Sequence, residues 1–135
     1  EQKEFEYHIE LCPKLGRILQ NGSQPLFFYP KPGERKINMT AKRPLAYITA
    51  AWSGNRTADR ERAAQYCRQV YEAGYSPLCP MLFLPVFLHE SIPKEHKDGL
   101  DMAREYLRRS RLLVMCGEQA NETVKNDIAV AQHNR

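Results

Sequence analysis

The sequence predicts an α/β domain with a Rossmann-like, mainly parallel sheet flanked by helices, and with an antiparallel β appendage at its N-terminal end. Two observations carry this prediction. Residues 45 to 85 read as an apolar strand, a polar loop, an amphipathic helix, a glycine and a second apolar strand, which is the unit that builds parallel sheets. Residues 4 to 11 instead alternate apolar and polar side chains, as a half-buried strand outside such a unit does.

Size and charge limit the functions open to the chain. With 135 residues, 42% of them hydrophobic, it has the length of one compact domain with its own core. The net charge is only +4 and the two signs are interspersed, as on a solvated surface, so a nucleic-acid or protein partner is possible but not indicated. The sequence contains no signal peptide and no long apolar span, and we therefore expect a cytoplasmic protein without a membrane segment.

The cysteines predict neither a metal site nor a disulfide framework. They form no Cys-x-x-Cys pair and have no histidines nearby at ligand spacing, so we expect free thiols and no metal. The four residues are Cys12, Cys67, Cys79 and Cys116.

Residues 1 to 44 are predicted to form the β-rich appendage and its connector. Three short apolar segments, with an Asn21-Gly22 turn between the last two, indicate a small antiparallel meander. These segments are residues 4 to 11, 15 to 19 and 26 to 29. Because so few strands bury little surface alone, the meander should pack on the main sheet or on a second subunit.

The main domain, residues 45 to 135, begins with a buried strand and the most strongly marked helix. Residues 46 to 51 form a compact apolar run, and Asn55 or Thr57 can cap the helix that follows. Gly74 is suited to a left-handed stop. The side chains predicted to face the sheet are Ala63, Cys67, Val70 and Tyr71.

The second half of the domain repeats the pattern. Residues 76 to 84 form a strand that prolines interrupt, so that its carboxyl end must leave the sheet, and residues 86 to 93 form a loop or a short helix. A helix over residues 98 to 109 and a strand over 112 to 116 follow. The helix should turn Leu100, Ala103, Tyr106 and Leu107 inward.

A last helix opens at Asn121 and stops just before the chain does. Its inward face should consist of Val124, Ile128 and Ala131. A doubly wound sheet would normally continue into another strand, so we expect either a small fold or a shortened form of a longer protein.

The loop after the first strand of the main domain is the first candidate ligand site. A tryptophan beside a glycine can stack on a base or a sugar, and a helix N-terminus with an arginine can bind phosphate. An ordinary capped turn explains the same residues equally well. They are Trp52, Ser53, Gly54, Asn55 and Arg56.

Five segments together resemble the nucleoside 2-deoxyribosyltransferase-like superfamily, and most closely its small uncharacterised branches from phage and other mobile elements. They are Tyr47-Ile-Thr-Ala-Ala-Trp-Ser-Gly-Asn, the helix with Tyr66-Cys-Arg, Gly74-Tyr-Ser-Pro-Leu-Cys-Pro, Leu112-Leu-Val-Met-Cys-Gly and residues 121 to 131. The resemblance covers residues 45 to 135 and lies in the order of the elements more than in any one motif.

The resemblance implies a nucleoside- or nucleotide-binding domain with N-glycosidase or deoxyribosyl-transfer activity. A carboxylate on the last helix attacks the anomeric carbon in that superfamily, since an anion stabilises the oxocarbenium-like transition state before bonding to it. Asp127 matches this position, and Tyr47 matches a tyrosine that orients the carboxylate. Asp98 is a candidate for contacting the base, and Asn121 lies in the turn that lines the site. The resemblance implies no organic cofactor and a homodimer or higher homo-oligomer.

A second hypothesis rests on departures from the family pattern. The turn reads Asn121-Glu-Thr-Val124 where relatives have Ser-x-Gly-Met, and Asp127 is one methylene shorter than the usual glutamate. A nucleophile displaced by about an ångström can lose on the order of a hundredfold in rate. The alternative is therefore a non-catalytic interaction protein of a mobile element, which sequesters a nucleotide or inhibits a partner protein.

Overall fold

The computed structural model describes residues 17–21, 24–30, 43–117 and 119–133. The strands are β1 (Arg17–Asn21), β2 (Gln24–Pro30), β3 (Leu45–Ala50), β4 (Ser76–Leu78) and β5 (Leu112–Cys116). The helices are α1 (Arg56–Glu72), α2 (Leu84–Phe87), α3 (Pro93–Arg109) and α4 (Glu122–His133), with one 3-10 turn at Pro80–Leu82. The chain is thus a mixed α/β protein, as the sequence predicts.

All five described strands lie in one sheet, in the order β1-β2-β5-β3-β4. The pairings of β3 with β4 and of β3 with β5 are parallel, whereas β1 with β2 and β2 with β5 are antiparallel. The sheet therefore combines a parallel part around β3 with an antiparallel part, and it is less uniformly parallel than the sequence led us to expect.

The first two strands extend the main sheet. β1 and β2 form an antiparallel hairpin, and β2 then pairs along its length with β5, from Leu26 opposite Cys116 to Pro30 opposite Leu112. We expected the meander to pack either on the main sheet or on a second subunit, and the pairing of β2 with β5 places its described strands on the main sheet. The strand predicted for residues 4 to 11, the Gly22 turn position and most of the connector lie outside the described residues.

Helices cover both faces of the sheet. One face packs against α1, through a core that includes Phe28, Ile48 and Val114 of the sheet. The other face packs against α3 and α4, through a core that includes Phe27, Tyr47, Leu113 and Met115. Neighbouring strand residues alternate between the two cores because successive side chains of a strand point to opposite faces.

The boundaries of α1 agree with the prediction, but its buried face differs. Asn55 caps it, accepting a 3.0 Å hydrogen bond from the Ala58 amide, and Gly74 follows it with a φ of +102°. Ala63 and Val70 are buried as expected, and so is Tyr66. The expectation for Tyr71 was wrong, since its side chain is 45% exposed. Its ring lies 4.4 Å from the Arg43 guanidinium, a contact that does not need burial.

The long helix between β4 and β5 begins before the residue that the sequence predicted. Only Ser76–Leu78 pair in the sheet before Pro80 starts the 3-10 turn, as the prolines predict. Helix α3 begins at Pro93 instead of residue 98, because proline fits the first helical position and needs no amide partner there. Leu107 is buried, but Leu100 is 50% exposed, so its predicted inward position was wrong.

The last two elements agree closely with expectation. All residues of β5 are buried, and Val124, Ile128 and Ala131 form the buried face of α4. Within the described ranges, no helix combines the length and the apolar character that crossing a membrane requires.

Candidate functional site

The candidate site lies where the parallel strands β3 and β5 end side by side. Their last residues, Ala50 and Cys116, are register partners. After β3 the chain passes to α1 on one face of the sheet, and after β5 it passes to α4 on the other face. Such a point, at which neighbouring strands send their connections to opposite faces, opens a crevice at the carboxyl edge where α/β proteins place ligands.

A hydrogen bond fixes the principal carboxylate at this edge. The Thr49 hydroxyl donates to Asp127 Oδ2 at 2.7 Å, joining β3 to α4. Thr49 is 3% exposed, and Asp127 is partly buried. Sequence reasoning singled out Asp127 but missed Thr49. The signal was available, because Thr49 follows Tyr47 by two positions on a strand and therefore shares its face.

The environment of Asp127 changes its proton affinity. Burial raises the pKa of Asp127 to about 6, against the Thr49 hydrogen bond and the Arg104 charge, which both lower it. Thr49 belongs to β3 and Arg104 to α3, so two other elements act on this carboxyl group of α4. At pH 7 and above the group is mostly ionised, as a nucleophile must be, and it takes up a proton under mildly acidic conditions.

Tyr47 lies close enough to Asp127 to sense its charge. Burial, followed by the negative charge of Asp127, raises the pKa of the Tyr47 hydroxyl well above its usual value, and the nearby Cys79 acts in the same direction. The phenol is 6% exposed and remains neutral. The two predicted catalytic residues are thus brought together, although the hydroxyl that donates to the carboxylate at 2.7 Å is that of Thr49. The role of Tyr47 as an orienting residue remains a prediction.

The loop after β3 is organised around a residue that we had not placed in the site. Asp59 of α1 accepts hydrogen bonds at Oδ1 from the Ser53 amide, at 2.9 Å, and from the Ser53 hydroxyl, at 2.7 Å. At Oδ2 it accepts one from the Gly54 amide at 2.8 Å. Asp59 lies in the first turn of α1, where the helix dipole favours an acid, and this position alone does not predict its contacts with the loop.

The remaining residues of this loop also contact the protein itself. The partly buried Trp52 ring lies 6.2 Å from the Tyr66 ring. The Arg62 guanidinium lies 6.0 Å from the centre of the same Trp52 ring. Asn55 caps α1. Arg56 Nη2 donates to the Pro85 carbonyl at 2.9 Å, which ties the loop to α2.

The last two predicted ligand contacts have structural partners. Asp98 forms an exposed ion pair with Lys94, whose Nζ lies 3.0 Å from Asp98 Oδ2. Oppositely charged residues one helical turn apart commonly pair in this way. Asn121 Oδ1 accepts from the Val124 amide at 3.0 Å and so caps α4. Asn121 opens the helix that carries Asp127, whereas Asp98 is one turn and a half before Arg104 on α3.

Metal ligands do not converge anywhere in the described part of the chain. No group of three or more His, Cys, Asp or Glu side chains there could hold a metal ion. The described cysteines, Cys67, Cys79 and Cys116, are free thiols.

Comparison with known proteins gives a family and no function. Neither the curated proteins nor the solved structures contain a significant match to the sequence. Residues 44–135, about two thirds of the chain, match the family described as a domain of unknown function (DUF7768). This match spans β3 to α4, and so contains every residue of the candidate site. The chain therefore belongs to the DUF7768 family.

Proposed function

We propose that this protein binds a nucleoside or nucleotide and cleaves or transfers its N-glycosidic bond, with Asp127 as the nucleophile. The observation that carries the proposal is the 2.7 Å hydrogen bond that holds the Asp127 carboxylate beside the carboxyl end of β3. A fixed, partly buried carboxylate at such a switch point suits attack on a sugar carbon better than a surface acid does.

The reaction would proceed by displacement at the anomeric carbon. An Asp127 oxygen forms a bond to this carbon while the bond to the base nitrogen breaks, and the electron pair leaves with the base, which takes a proton from solvent. Water, or a second base, then attacks the same carbon and frees Asp127. The neighbouring Thr49 and Tyr47 hydroxyls would hold the carboxylate in line, and the Arg104 charge favours its ionised form.

Family-level inferences accompany this function. We propose a Rossmann-like fold of the nucleoside 2-deoxyribosyltransferase-like superfamily, supported by the parallel β4-β3-β5 core with helices on both faces. We also propose a homodimer or higher homo-oligomer in the cytoplasm. Light scattering coupled to gel filtration measures the oligomeric state directly.

A second candidate function has one observation in its favour. Asn121 uses its side-chain oxygen to cap α4, in the turn where the resembling enzymes have Ser-x-Gly-Met, and a branched Thr123 stands where they have glycine. A turn of this kind restricts close approach of a ligand to the backbone. The alternative is a non-catalytic protein of a mobile element that sequesters a nucleotide or inhibits a partner protein.

One experiment separates the two functions. The protein is incubated with a panel of deoxynucleosides, nucleoside monophosphates and NAD, and released base is measured by chromatography. Asp127→Asn should abolish release. Glu72→Gln, which changes an exposed acid paired with Arg68 at the far end of α1, should leave it unchanged. No release, together with a ligand-dependent rise in melting temperature, would support the binding protein instead.

A further inference from the structure

The loop after β3 has its anion-binding groups filled by the protein's own carboxylate. The Ser53 and Gly54 amides both point at Asp59, at 2.9 and 2.8 Å, and the Ser53 hydroxyl adds a third donor at 2.7 Å. Adjacent backbone amides that converge in this way form a cradle suited to a phosphate oxygen. Here the Asp59 side chain, which is 1% exposed, already occupies the cradle.

Asp59 carries a full negative charge in this position. Burial acts to raise its pKa, but the hydrogen bonds from Ser53 and Gly54 and the charge of Arg62 together hold the pKa below its usual value. Arg62 offsets the charge only in part, because its Nη1 is 3.9 Å from Oδ1 and its side chain is 39% exposed. A second anion at the loop would therefore meet a fixed negative charge.

Other groups that could attract a phosphate at this loop are engaged as well. The Ala58 amide, in the first turn of α1, donates to Asn55 Oδ1 at 3.0 Å. The Arg56 guanidinium donates to the Pro85 carbonyl at 2.9 Å. A phosphate would have to replace these hydrogen bonds with its own, so the free energy of each new bond would be offset by the loss of an existing one.

From this arrangement we infer that the site selects uncharged nucleosides over nucleoside 5′-phosphates, and that Asp59 is the residue that sets this preference. The inference rests on the proposed function and narrows it from nucleosides or nucleotides to nucleosides. Asp59 is a specificity-determining residue in this scheme and takes no part in the bond-breaking step. In this scheme Asp127, which accepts a hydrogen bond from Thr49, reacts with the sugar, while the loop at Ser53 and Gly54 rejects the charged form.

Binding measurements with four defined probes test the inference. The dissociation constants of 2′-deoxyadenosine, 2′-deoxycytidine and their 5′-monophosphates are measured by isothermal titration calorimetry on the full chain. We expect the wild-type protein to bind each nucleoside at least tenfold more tightly than its monophosphate. Asp59→Asn, which removes the charge at nearly constant shape, should shrink this ratio at least fivefold. Glu61→Gln removes an exposed charge from the same helix and should leave the ratio unchanged.

Salt dependence gives a readout that needs no variant. If Asp59 repels the phosphate, raising the ionic strength should bring the two wild-type affinities closer together, since salt screens the repulsion. A monophosphate affinity that falls as salt rises would indicate an attractive phosphate site and overturn the inference.

Three results would distinguish the failures. Monophosphates that bind as tightly as nucleosides overturn the inference and leave the proposed function standing. An unchanged ratio in a folded Asp59→Asn protein overturns the role of Asp59. Absence of binding by all four probes rejects the proposed function, and the inference with it.

Discussion

Thr49 and Asp127 are 78 positions apart in the chain, yet the Thr49 hydroxyl donates a 2.7 Å hydrogen bond to Asp127 Oδ2. The bond joins strand β3 to the last helix, α4, near the carboxyl ends of the paired strands β3 and β5. A buried hydrogen bond to a charged group constrains both partners. It therefore ties the geometry of the candidate nucleophile to the packing of the whole domain.

Removing this donor should make Asp127 a weaker acid. In Thr49→Val the side chain keeps its size and loses its hydroxyl, so the pKa of Asp127 should rise above about 6. The ionised carboxylate also loses a partner, at a cost of about 1.5 to 3 kcal/mol in unfolding free energy at pH 7. Carbon-detected NMR titration of the aspartate carboxyl groups measures the first effect and urea denaturation the second.

Thr57→Val is the matched control, because Thr57 is an exposed threonine on α1. It should change neither quantity beyond about 0.5 kcal/mol. An Asp127 pKa that stays constant or falls in Thr49→Val would show that the hydrogen bond does not govern this carboxyl group.

The pKa of Asp127 predicts an unusual pH dependence of stability. Because the folded protein holds this proton up to about pH 6 and the unfolded chain releases it near its ordinary value of 3.8, protonation favours the folded state. The contribution is complete below the unfolded pKa and is lost as pH rises through the folded one. Two pKa units correspond to up to about 3 kcal/mol.

Asp127→Asn isolates this contribution, since asparagine mimics the neutral acid. Near pH 4 the two proteins should be about equally stable. Toward pH 7 the variant should become the more stable by up to about 3 kcal/mol. Urea denaturation at a series of pH values measures the difference in unfolding free energy between the two proteins. The contributions of the other carboxylates are the same in both proteins and cancel in this difference. A difference that does not vary with pH would refute the raised pKa.

The sequence predicts the fold better than it predicts the site, for a physical reason. Periodic apolar patterns locate α1, β5 and the buried face of α4, because each depends on local spacing alone. Strand partners depend on contacts distant in sequence, and so the pairing of β2 with β5 could not be read from either segment. The apolar pattern of α3 also predicted that Leu100 faces inward, whereas half of its surface is exposed to solvent.

Within the candidate site, the expected closeness of two side chains is met where each position follows from the residue's own element. Tyr47 and Asp127 come together because one lies on the central strand and the other on the helix that crosses it. The Asp59 cradle was missed because it depends on a loop turning back onto the helix that follows, a tertiary contact with no periodic signature.

The Asp59 cradle should also contribute to stability. Asp59→Ala removes three hydrogen bonds from the loop, but Ser53 and Gly54 are exposed and water can partly replace the lost acceptor. We therefore expect a loss of about 1 to 3 kcal/mol in unfolding free energy. Hydrogen exchange at the Ser53 and Gly54 amides should accelerate. Glu61→Ala, on the exposed side of the same helix, is the control, and equal stability of the two variants would contradict the role of the cradle.

Two glycines should respond in opposite directions to the same change. Gly99 lies inside α3, where an added Cβ would be 3.4 Å from Leu88 Cδ1, an ordinary contact. Alanine is favoured over glycine in a helix by about 1 kcal/mol, so Gly99→Ala should stabilise the protein by about 0.5 to 1 kcal/mol. Gly54 has open space around it but a φ of +94°, so Gly54→Ala should cost about 1 to 2 kcal/mol through backbone strain alone. Urea denaturation of both variants measures the two signs, and stabilisation by Gly54→Ala would show that the loop after β3 does not hold this conformation.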